Sequence, residues 1–146
     1  MRLAIGSLLC VALLATSGCV GALFASKKVK EITLEDAQRR YTELVRWGEI
    51  EGASAFVDPA SIAEFLVAAE RFQHLRFTNF ESGPLQFGED SETATANVVY
   101  HVYSTRTLIE KKFREHQEWY REASAGDDWR VRSNLAAIAS ELNGSR

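Results

Sequence analysis

Two periodicities divide the chain. From residue 33 to about 72 the apolar positions recur every three or four residues, and from His74 to Leu135 they recur every second one. Thr33-Leu34-Glu35-Asp36 reads as a helix start, with Thr33 as N-cap and Asp36 placed to reach back to it. Ala37, Tyr41, Leu44, Val45 and Gly48 then share a face, while Arg39, Arg40, Glu43 and Arg46 lie elsewhere. Gly48 and Gly52 bracket a break, and residues 53–57 carry a second short helix. Asp58-Pro59-Ala60-Ser61 supplies a cap and a first-turn proline for a third helix through Ile62, Phe65, Leu66, Ala69 and Phe72.

Beyond His74, four strands are predicted, mostly antiparallel. Leu75 to Glu81 alternates, and Leu85-Gln86-Phe87 prolongs that strand past a bulge. Glu92 to Arg106 is rich in Thr, Val and Tyr with no internal proline or glycine. Leu108 to Glu122 places Ile109, Phe113 and Trp119 on one side and charged groups on most other positions, and Asp127-Asp128 turns into Trp129, Val131 and Ser133. The Ala-rich tail from Leu135 to Leu142 forms a final helical turn, with fraying expected after it.

The N-terminus changes the picture of where this domain sits. Met1-Arg2, an apolar run from Leu3 to Ala15 and small residues after it have the parts of a signal peptide, and the run is shorter than the roughly 20 residues that span a bilayer. Leu14-Ala15-Thr16-Ser17-Gly18-Cys19 resembles the lipobox of bacterial lipoproteins, with Thr16 where Leu is usual. The resemblance implies cleavage before Cys19, diacylglycerol on its thiol and further acylation, since a single chain gives only marginal anchoring. Val20 after the cysteine implies, on the same analogy, the outer membrane with the domain facing the periplasm. The alternative is plain secretion that leaves Cys19 a free thiol. The chain thus divides into a signal peptide (1–18), a lipidated cysteine and tether (19–32) and one domain (33–142). Cleavage would remove Cys10 and so preclude a disulfide within the chain. The 146 residues carry 17 basic and 20 acidic side chains, interspersed, which argues against a nucleic-acid partner.

The order of elements resembles the nuclear-transport-factor-2-like, or cystatin-like, superfamily. The resemblance rests on the helix ending Tyr41-Thr42-Glu43-Leu44-Val45-Arg46-Trp47-Gly48, the turn Val57-Asp58-Pro59, and the pair Gln117-Glu118-Trp119-Tyr120-Arg121 with Trp129-Arg130-Val131. It implies an α+β fold in which N-terminal helices pack on a curved, mostly antiparallel four-stranded sheet to form a cone. In such domains the cone is often a ligand cavity, and in some members an acid–base pair isomerises or dehydrates a small molecule.

Candidate chemistry is sparse. His101 sits mid-strand on the side of Val99 and Tyr103, and His116 and Glu118 share a side with Glu110, Lys112 and Arg114, which reads as a solvated ladder. Tyr41 loosely matches the tyrosine that isomerases of the superfamily carry on the first helix, and no acid clearly matches their second group. No metal-spaced Cys or His pair, phosphate loop or nucleophile elbow is present, so no catalytic residue, metal or cofactor is assigned. An interaction or scaffold role, through the outer sheet face and an exposed Trp47 or Trp119 meeting a protein partner or a second copy, ranks first. A small-molecule pocket lined by Tyr41, Phe65, Phe77, His101 and Tyr103 ranks second, and catalysis third. A one-residue slip would exchange His101 for Tyr100 in that pocket.

Overall fold

The computed structural model describes residues 19–121 and 128–144, with side chains over 33–121 and 128–139. The elements run α1 (Cys19–Trp47), α2 (Ile50–Ser54), a 3-10 turn (Pro59–Ser61), α3 (Ile62–Arg71), β1 (Leu75–Ser82), β2 (Gln86–Phe87), β3 (Thr93–Ser104), β4 (Glu110–Arg121), β5 (Trp129–Ser133) and α4 (Leu135–Gly144).

The antiparallel sheet has the order β1-β3-β4-β5, with β2 on the same edge of β3 as β1. In breadth it is therefore the expected four-stranded sheet, and β2 prolongs β1 after the three residues Gly83, Pro84 and Leu85. Within β1 the register shifts between Phe77 and Asn79, so Phe77 opposes Val102 and Phe80 opposes Tyr100. The extra residue, Thr78, lets Phe77 and Phe80 share the inner face although they are three apart. The linker before α3 closes the other side of the sheet: Val57 makes a parallel bridge to Val131, and the Asp58 N–H donates to the Val131 carbonyl at 2.9 Å.

The core lies between the helices and one sheet face. Leu34, Tyr41 and Val45 of α1, Phe65, Ala68 and Phe72 on and after α3, and Leu135, Ile138 and Ala139 of α4 are buried against Val98, Tyr100, Val102, Phe113, Trp119 and Val131. Gly48 ends α1 with φ +75°, and the Gly48 and Glu49 N–H groups donate back to the Val45 and Leu44 carbonyls. Asp58 caps the 3-10 turn by accepting from the Ala60 N–H at 3.0 Å, and it pairs with Arg132 Nε at 2.8 Å.

Four expectations change. The helix placed at Thr33 begins instead by Cys19, so the stretch read as a tether is part of α1, because the residues from Val20 to Ile32 include no proline and only Gly21 as a poor helix former. Trp119 is 1% exposed, its indole closing the core, so Trp47 is the exposed tryptophan of the two. Ile109 lies beyond the sheet, 57% exposed, because β4 begins only at Glu110. The tail forms a helix of 10 residues and not a single turn. The proposed signal peptide (1–18) lies outside the described residues, and among those described no helix is long and apolar enough to cross a membrane.

Candidate functional site

On β4 the odd residues face the helices, and between Phe113 and Trp119 that face carries Glu115 and Gln117. Both are fully buried, as are Tyr41, Thr42 and Tyr100 beside them. The Glu115 carboxylate accepts four hydrogen bonds, three from other elements and one from its own strand. Oε1 takes the Tyr41 hydroxyl of α1 at 2.6 Å and the Ser133 hydroxyl of β5. Oε2 takes the Tyr100 hydroxyl of β3 at 3.0 Å and the Gln117 amide at 2.8 Å. Gln117 Oε1 in turn accepts from the Trp119 indole at 3.1 Å.

From Gln117 the polar groups continue outward. The Gln38 amide lies 3.4 Å from Gln117 Oε1, 3.4 Å from the Thr42 hydroxyl and 3.2 Å from the Ser82 hydroxyl, and Ser82 is exposed. This chain of side chains joins the buried carboxyl to the surface where α1 meets the end of β1. Aromatic rings surround it: Tyr41 meets Trp119 edge-on at 5.8 Å, Phe77 meets Tyr100 edge-on at 5.4 Å, and Phe113 lies 5.2 Å from Tyr100.

An acid held out of water favours its neutral form, and four donors favour the ionised one. Burial prevails, and the Glu115 carboxyl titrates above the ordinary carboxylate range despite the Ser133, Tyr41, Gln117 and Tyr100 bonds. Burial first, and then the Glu115 charge, also push both tyrosine hydroxyls well above their usual range, so they remain donors at neutral pH. The assembly is thus a carboxyl that holds its proton to higher pH than an exposed one, beside two phenols and a serine. Those are the parts needed to bind a hydroxyl or carbonyl oxygen, or to move one proton. Among the described residues no cluster of three metal-ligating groups occurs.

The residues expected to line a pocket fall into two groups. Tyr41, Phe65 and Phe77 are on the inner side in two ring clusters, Tyr41 and Phe65 with Trp119 and Phe77 with Tyr100 and Phe113, which Glu115 joins by accepting from Tyr41 and Tyr100. His101 and Tyr103 are on the opposite face of β3, since Tyr100 and Val102 take the buried positions. There His101, its side chain 15% exposed, contacts Glu81 at 3.0 Å and Glu110 at 3.7 Å, and His116 contacts Glu118 at 3.6 Å in the ladder expected for Glu110, Lys112, Arg114, His116 and Glu118. Glu115 and Gln117 were missed as site residues. Their signal was parity: both share the odd positions of Phe113 and Trp119, and a charged residue in register with core aromatics marks a buried acid.

Two surface clefts lie away from the Glu115 carboxyl. One, of about 410 Å³, opens beside Phe87, Thr95, Tyr120 and Arg132, and the other, of about 470 Å³, lies between Arg40, Phe56 and Trp129. Neither includes Glu115.

No family model matches the sequence, and no curated protein matches it. Among solved structures the chain is similar to Rv3472 of Mycobacterium tuberculosis, a protein of unknown function. The two are 12% identical over 86% of this chain and 93% of that one, with a TM-score of 0.58. It is also similar to a protein provisionally assigned as a polyketide cyclase from a Silicibacter species, 13% identical over 74% of this chain and 93% of that one, TM-score 0.43. At such identities the first likeness speaks to the fold alone: helices on a curved antiparallel sheet.

Proposed function

We propose that this protein binds a small, largely apolar molecule carrying a hydroxyl or carbonyl oxygen, admitted to Glu115 when the side chains that cover it part. The observation that carries this is the fully buried carboxyl with donors from three strands and a helix. An ordinary core gains nothing from such a group, because desolvating a charge costs several kcal/mol that well-packed apolar residues avoid. A buried acid whose titration is shifted, set among aromatic rings and linked to the surface by Gln38 and Ser82, has instead the makings of a recognition site. The site moves the small-molecule reading ahead of the scaffold role that the sequence favoured. The setting is the cell envelope, with the chain anchored by lipid on Cys19 in the outer membrane and the domain facing the periplasm.

Native mass spectrometry of the full chain, isolated from its own envelope, tests this reading. Extra mass of small-molecule size is expected on the parent, and less of it on Glu115→Gln and Tyr41→Phe. Loss of one hydrogen-bonding group at the buried site costs about 1–3 kcal/mol, enough to weaken affinity about fivefold or more. The same spectra read acyl mass on Cys19. A chain without bound mass in any preparation would return the cluster to a purely structural role.

A further inference from the structure

The loop joining β3 to β4 is an ordered tip that presents apolar side chains to solvent. The Ser104 hydroxyl accepts from the Arg106 and Thr107 N–H groups at 3.2 and 3.3 Å, and the Ser104 carbonyl accepts from the Leu108 N–H at 2.8 Å. The Thr105 N–H donates to the His74 carbonyl at 2.8 Å and so ties the tip to the residue before β1. Leu108 has φ +57°, a conformation that costs an L residue with a Cβ roughly 1 kcal/mol or more. The result is a leucine 76% exposed beside an isoleucine 57% exposed. The left-handed Leu108 closes the hairpin, its own N–H reaching the Ser104 carbonyl and the Ile109 carbonyl accepting from the Ser104 N–H at 3.2 Å, and leaves its side chain in solvent.

Around the pair stand Arg106, Lys111 and Lys112, and Arg76 on the neighbouring β1, all exposed, with Glu110 the acid among them. A basic end on a chain of net charge −3 is a local reversal of sign. The tip is a protrusion of two side chains and not a flat face. A stable protein partner needs roughly 600 Å² or more per side, which such a tip does not offer. A bilayer asks for no complementary shape. It accepts short apolar side chains between its headgroups, while lysines and arginines extend to the phosphates.

We propose that the β3–β4 tip docks on a phospholipid surface bearing anionic headgroups, with Leu108 and Ile109 inserted and Arg76, Arg106, Lys111 and Lys112 on the phosphates. This contact is independent of the Glu115 site and of lipid on Cys19.

The test uses the full chain with Cys10 and Cys19 replaced by serine and an environment-sensitive fluorophore on Ile109→Cys. Vesicles of phosphatidylcholine with phosphatidylglycerol are compared with phosphatidylcholine alone, and Glu118→Cys on the outer sheet face serves as the control site. Emission at position 109 should rise with the anionic vesicles while position 118 stays unchanged, and Lys111→Glu should weaken partition about fivefold or more. A chain that sediments with the vesicles without a rise at 109 would be held by its N-terminus, and the proposal would fall. It would fall equally if no vesicle binding occurred, or if the rise depended on protein concentration without vesicles, which would make the tip a contact between copies.

Discussion

Glu115 and Asp58 are both acids in contact with the core, and they bias stability in opposite directions. The Glu115 carboxyl titrates above its unfolded value, chiefly through burial, so the folded state holds its proton longer than the unfolded one. Its favourable contribution is complete below the ordinary carboxylate range and is lost as the pH rises through the folded-state value. Asp58 is held below its ordinary value, first by Arg132 and then by the Ala60 N–H, so its contribution is present at neutral pH and is lost on acidification. Thermal melts of parent and Glu115→Gln across weakly acid to neutral pH should separate the two. The parent loses stability as pH rises over that interval, whereas the variant keeps only the acid-side loss that belongs to groups such as Asp58. Identical profiles would mean that Glu115 does not titrate there. At this scale the sequence was least legible. Glu115 stands between Arg114 and His116 in a run where nearly every residue is polar, so only its parity distinguishes it from its solvated neighbours.

Elements were far more readable than their faces. The Asp58-Pro59 cap, the Gly48 stop and the four strands of the sheet's breadth follow from local rules that need no knowledge of the partner. The inward face of β3 does not, since both of its alternating sets, Val98-Tyr100-Val102 and Val99-His101-Tyr103, are apolar enough to be core. The bulge at Thr78 hides the pattern of β1 in the same way, because an alternation that changes phase looks like none at all. Thr33 misleads for a different reason: a good cap is not a helix start when the residues before it are also helix formers. Gly48 allows a direct check of one such device. A Cβ there meets nothing within 4 Å, so Gly48→Ala isolates the backbone strain at φ +75°. A loss of about 1 kcal/mol is expected in denaturant melts with the slope unchanged, and a neutral result would show that α1 ends by another route.

Across the whole molecule the three tryptophans report how the layers close. Trp119 and Trp129 are 1% and 4% exposed, while Trp47 is 69% exposed beneath the Arg46 guanidinium at 5.0 Å from its ring. Iodide should therefore quench the parent partially and Trp47→Phe almost not at all. Quenching that survives the substitution would mean that the β4–β5 side of the core is open. The direction of α1 has one more consequence. Gln38 meets Ser82 at the end of β1 and Arg46 meets Thr78 nearer its start, so the helix runs antiparallel to β1 with Trp47 toward the β3–β4 tip. Its 29 residues amount to about 43 Å of rod, and Cys19 is at the far end. A chain fixed at Cys19 is therefore a strut: it holds its sheet away from the surface it is fastened to and aims Leu108 at whatever lies opposite. Were the chain both fastened at Cys19 and docked through Leu108, the length set by residues 19–47 would gauge the gap between the two surfaces.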